Sequence, residues 1–116
     1  MSVYVTPVSS TLLPTTVKNF SAITGVPNGI ETTIFSRLSL IDETFGDLLV
    51  SGTDYARFNI YLNTSLVFVI RTGPSRNGGL SLQRPWQVDA GDIIDLKVIH
   101  YNTAATADFE STLLGV

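Results

Sequence analysis

Residues 55–70, "YARFNIYLNTSLVFVI", decide how this chain is read. Ala56, Phe58, Ile60 and Leu62 fall on one side of a period of two, and Tyr55, Arg57, Asn59 and Tyr61 on the other. Strict alternation of this kind places one face of a strand on a core and the other in water. Asn63, Thr64 and Ser65 then supply a tight connection into the apolar run "LVFVI", so residues 55–71 read as a β-hairpin.

The same period extends in both directions. "IETTIFSRL" (30–38) sets Ile30, Thr32, Ile34, Ser36 and Leu38 against Glu31, Thr33, Phe35 and Arg37, and its Thr and Ile content favours a strand. "GDLLVSG" (46–52) is a short strand between glycines. "IIDLKVIHY" (93–101) aligns Ile94, Leu96, Val98 and His100, and "DFESTLLGV" (108–116) aligns Phe109, Ser111 and Leu113. "GLSLQ" (79–83) is a further strand. "RPWQV" (84–88) belongs at a sheet edge, because Pro85 has no N–H for a ladder. "DAGD" (89–92) is a turn that Gly91 makes cheap. No segment shows helical spacing beyond two turns. About eight short strands joined by turns predict an all-β chain: a jelly-roll-like antiparallel β-sandwich.

Residues 1–29 differ from the rest. They carry one charge, Lys18, and prolines at 7, 14 and 27 that interrupt helices and long central strands. The segment reads as an extended N-terminal arm holding strand pieces such as "VYV" and "TTVKNF", ahead of a sandwich domain over 30–116. A disordered tail is poor in large apolar residues, whereas here Val3, Tyr4, Val5, Leu12, Leu13, Val17 and Phe20 call for burial. The arm is therefore expected to lie on its own domain or on a neighbouring subunit.

With 116 residues the chain suits one domain. Apolar residues make up 44% and charged residues 15%, a balance that leaves surface for a partner to cover. Seven Lys and Arg against ten Asp and Glu give a net charge of −3 with no basic stripe, which excludes a nucleic-acid binder dependent on counterion release. Cysteine is absent, so disulfides, thiolate metal sites and Cys nucleophiles are excluded together. Neither a signal peptide nor a membrane span is evident, and synthesis in a cytoplasm is expected. Without a secretory route, the Asn19-Phe20-Ser21 and Asn63-Thr64-Ser65 matches to a glycosylation motif read as coincidence.

The segment richest in chemistry is "RTGPSRNGG" (71–79), with two arginines, a proline and three glycines. It lacks the Gly-Lys-Ser/Thr ending of a phosphate-binding loop and precedes a strand, so its backbone reads as a hairpin loop. A turn needs no arginine, however. Arg71, Arg76 and Arg84 are candidates to project together at one end of the sandwich, where guanidinium groups suit bidentate contact with a carboxylate on another chain. Trp86 is an interface or core anchor, with a sugar-stacking platform as the competing reading. His100, on an apolar face and with no nucleophile motif nearby, reads as a satisfied core imidazole. Asp42, Glu43, Asp47 and Asp54 read as turn and capping residues, and the calcium-loop look of "DAGDIID" fails because Ile93 and Ile94 replace oxygen ligands. Neither a catalytic residue, nor a metal site, nor a cofactor is expected.

The succession "GTDYARFNIYLNTSLVFVIRTGPSRNGG" and "VDAGDIIDLKVIHYNTAATADFESTLLG" resembles small jelly-roll virion proteins of tailed bacteriophages over about residues 50–115. The resemblance implies a structural role: a head decoration (cement) protein that binds the major capsid protein and copies of itself, as a trimer, on the outer surface of the head. It implies no catalytic residue. The alternative is a carbohydrate- or receptor-binding module of a tail or fibre, stacking a glycan on Trp86, Tyr61 and Tyr101.

Overall fold

A computed structural model describes residues 16–73, 78–101 and 105–115, with the backbone alone for 78–85. Eight strands follow in chain order: β1 (Thr16–Pro27), β2 (Thr32–Leu38), β3 (Glu43–Gly52), β4 (Ala56–Leu62), β5 (Ser65–Thr72), β6 (Gly78–Val88), β7 (Ile93–His100) and β8 (Thr106–Gly115). They form two antiparallel sheets with strand orders β1-β8-β3-β6 and β2-β7-β4-β5. The pairs β1–β8, β2–β7, β3–β6 and β4–β5 are those of one long hairpin, with its tip between β4 and β5, rolled into a sandwich. That is the jelly-roll topology.

The alternation read from sequence accounts for the core. Ala56, Phe58 and Ile60 of β4, Ile94, Leu96 and Val98 of β7, and Phe109 and Leu113 of β8 are all buried between the sheets. The Phe58 ring meets Phe109 edge-on, with centroids 5.6 Å apart, so the two sheets interlock through an aromatic pair near mid-core. Truncating a ring buried like Phe58 costs roughly 3–5 kcal/mol.

Register shifts occur in several of the pairings, and two of them decide which residues reach the core. In β2 the register against β7 shifts between Thr33 and Phe35, which turns Phe35 into the core and leaves Leu38 exposed. Ile34 on one side of the bulge and Phe35 on the other both pack on the core, which strict alternation does not allow. In β3 a shift between Phe45 and Asp47 occurs against β6 and β8 alike, and it allows Phe45, Leu48 and Val50 all to point inward. "GLSLQ" and "RPWQV" are parts of one strand, β6, which is an edge strand as Pro85 requires.

Residues 16–27, read from the sequence as part of the arm, form the edge strand β1 and pair with β8 from Thr16↔Gly115 to Pro27↔Thr106. Val26 of β1 is buried in the core, while Val17 and Phe20 are exposed. Cutting the chain at residue 29 would therefore remove a sandwich strand. Residues 1–15, with Val3, Tyr4, Val5, Leu12 and Leu13, lie outside the described residues.

Candidate interaction surfaces

At one end of the sandwich three connections are bonded together: residues 39–42, the hairpin turn Asn63–Thr64, and residues 89–92. The Ser39 amide donates to the Asp92 carbonyl at 2.9 Å, the Gly91 amide to the Ser39 carbonyl at 2.7 Å, and the Ala90 amide to Asp42 Oδ1 at 2.9 Å. Gly91 adopts φ 93°, the left-handed conformation this turn needs. Asn63 binds the group from the other side: its Nδ2 donates to Asp92 Oδ1 at 2.9 Å, and its Oδ1 accepts from the Ile93 amide at 2.8 Å. On this rigid base stand Leu40, 81% exposed, and Ile41, 68% exposed, with Leu38 and Ile93 exposed beside them on neighbouring strands. A contiguous apolar tip fixed by hydrogen bonds is the kind of surface a partner covers. Thr16 and Gly115, paired with each other, lie at this same end.

The outer face of the second sheet carries a polar cluster beside the exposed Val67 and Val69 of β5. Glu31 accepts from Asn59 Nδ2 at 2.7 Å and from the Tyr61 hydroxyl at 2.8 Å. The Asn59 hydrogen bond, helped by Tyr61 and by the charges of Lys97 and Arg57, holds the Glu31 carboxyl below its ordinary value against the opposing effect of burial. The same bond to Glu31 pushes the Tyr61 hydroxyl above its ordinary range. Lys97 Nζ lies 5.1 Å from the centre of the Tyr61 ring and covers its face. Toward the end opposite Leu40, Arg57 of β4 stands directly across from Arg71 of β5. Together with Ile99 and Tyr101 they line an open groove of about 300 Å³.

Of the three arginines singled out in the sequence, Arg71 alone has a described side chain. Arg71 is exposed on the outer face of β5, Arg76 lies outside the described residues, and Arg84 belongs to β6 with its side chain undescribed. Trp86 pairs in register with Phe45 and is half-buried, inside the sandwich: its ring lies 6.0 Å from Phe45 and meets Phe68 edge-on at 5.2 Å. Its side chain packs against the core near the Leu40 end, whereas Arg71 is near the other end. Tyr61 and Tyr101 lie on the second sheet's outer side at opposite ends, so the three aromatics share no surface. Arg57, Leu40 and Ile41 were not singled out, although the polar side of "YARFNIYL" already carried Arg57.

His100 is fully buried, with Nδ1 2.8 Å from Asp54 Oδ2 and Nε2 2.6 Å from the Val26 carbonyl oxygen. It is the satisfied core imidazole expected of it, because neither nitrogen is left to act on a substrate. Glu43, read as a turn residue, pairs with Arg37, whose other amino group donates to the Lys18 carbonyl at 3.1 Å and so ties β1 to β2. Burial pushes the Glu43 carboxyl up, but the Arg37 hydrogen bond and charge outweigh it and hold the group below its ordinary value. The void between the sheets is apolar and only about 20 Å³, room for roughly one water, so binding surfaces are to be sought outside. Among the described residues no group of three acidic, His or Cys side chains is placed to hold a metal ion. No protein-family model matches the chain, and comparison with curated proteins gives no match. The fold is a jelly-roll sandwich that carries an apolar tip at one end and a paired-arginine groove toward the other.

Proposed function

We propose that this protein is a decoration, or cement, protein: it binds the outer surface of a viral head, through the major capsid protein, and stabilises the shell by many repeated contacts. The observation that carries the reading is the hydrogen-bonded tip that presents Leu40 and Ile41 to solvent. Covering a Leu or Ile side chain contributes about 1.5–3 kcal/mol. One such footprint gives millimolar binding at best, roughly −4 kcal/mol. Copies arrayed on a shell raise one another's effective concentration and turn weak footprints into stable coverage. Because the tip is already held by its neighbours, little conformational entropy is lost on docking.

The experiment is co-sedimentation of the purified chain with particles depleted of it. Wild type should pellet with the particles, and a Leu40→Ser/Ile41→Ser variant should remain in the supernatant while keeping its β-rich circular dichroism. Equal pelleting of the two proteins would remove the tip from the interface.

A further inference from the structure

The pair Arg57–Arg71 needs an explanation that the isolated chain does not provide. Two like charges directly opposite on adjacent strands repel each other and destabilise the pairing. Neither arginine has an ion-pair partner among the described residues, and the buried Nε of Arg57 has no hydrogen-bond acceptor. Glu31 offsets part of the Arg57 charge, but its Oε2 accepts from Asn59 and Tyr61 and it forms no ion pair with either arginine among the described residues. An incoming carboxylate set between the two guanidinium groups relieves the repulsion and receives charge-assisted hydrogen bonds from both. Ile99 and Tyr101 on the groove wall lower the local dielectric and strengthen the contact.

The chain carries a matching surface of opposite sign. On the outer face of the first sheet, near the same end, Asp108 and Glu110 border a second open groove of about 300 Å³ floored by Gly52. Both carboxylates are exposed, and their hydrogen bonds come from neutral groups only: the Gly25 amide to Asp108 at 3.0 Å and the Ser51 hydroxyl to Glu110 at 3.3 Å. We propose that the Arg57–Arg71 groove of one molecule receives the exposed Asp108 and Glu110 carboxylates of a second copy of this chain. The two patches lie on opposite sheets and each would repel itself, so the contact is heterologous: it repeats head to tail and closes into a ring when the rotation allows. The contact goes beyond shell binding and does not depend on it, since it forms in solution.

Charge exchange tests the contact. In sedimentation velocity at low salt, wild type should associate, and Arg71→Glu and Glu110→Lys should each be monomeric at the same concentration. An equimolar mixture of the two variants should associate again, because each supplies the charge the other lacks. Raising the salt to about 0.5 M should weaken association of the wild type at least tenfold, as screening of exposed charges requires. Circular dichroism of each variant confirms the fold, and a variant that loses it is replaced by Arg71→Gln or Glu110→Gln, for which loss of association is the expected result. A monomeric wild type, variants that associate as well as wild type, or a mixture that stays monomeric would each overturn the proposal. The particle assay above is read separately, so a failure of one leaves the other intact.

Discussion

His100 and Asp54 face each other across 2.8 Å in the core, and the second ring nitrogen of His100 reaches the Val26 carbonyl at 2.6 Å. Both ring nitrogens thus have a polar partner inside the core, as a buried imidazole requires. Asp54 precedes β4, His100 ends β7 and Val26 lies near the end of β1, so this one side chain ties the two sheets together at the end opposite Leu40. Asp54 further accepts from the Tyr55 amide at 2.8 Å, which shapes the entrance to β4. Replacing Asp54 by Ala leaves a buried ring nitrogen without its hydrogen-bond partner and should cost about 1–3 kcal/mol. Urea denaturation measures it. A loss below 1 kcal/mol would mean that the pair does not hold this end closed.

The hairpin between β4 and β5 turns on Asn63 at φ 48° and Thr64 at φ 72°. Positive φ at both positions is the signature of a type I′ turn, which Asn suits and a β-branched residue resists. Thr64→Gly should raise stability by roughly 0.5–1 kcal/mol, the left-handed penalty less the greater freedom of glycine when unfolded. The rise is read as an increase in Tm. Asn63→Ala should act in the opposite direction, because it strips two hydrogen bonds from the turn at Asp92 and Ile93.

Glu43 and Glu31 both have carboxyls held below their ordinary range in the folded chain. For a lowered carboxyl the stabilisation is complete above the unfolded value, about 4.3, and is lost as pH falls through the folded value. Stability should therefore decline below about pH 4.5. Glu43→Gln should flatten that decline while lowering stability at pH 7, because it removes the charge opposite Arg37. Denaturation midpoints compared at pH 7 and pH 3.5 check the sign.

Gly52 of β3 lies against Phe109: a Cβ at this position would come within 2.1 Å of the ring. Gly52→Ala should force the ring or the strand to shift, at a cost of about 1–3 kcal/mol as overpacking does elsewhere.

How much of this was legible in the sequence depended on whether the signal was local. The alternation of 56–62, 94–100 and 109–113 passed directly into buried faces, and Pro85 marked an edge strand. What a single inserted residue decides was not legible: the bulge between Thr33 and Phe35 brings both Ile34 and Phe35 against the core. Pairings between distant segments were equally hidden. Nothing near Arg57 announces Arg71 as its cross-strand neighbour, and nothing near Asp54 announces His100, because register is set by the whole sheet. Trp86 was recognised as an anchor, but its position inside the sandwich follows from Phe45 and Phe68, which no local pattern links to it.

The most direct test of the decoration role is immunogold electron microscopy of the virion that carries this chain, with antibody raised against the folded protein. The account predicts gold distributed over the outer surface of the head. Gold confined to the tail, or particles without label, would contradict it.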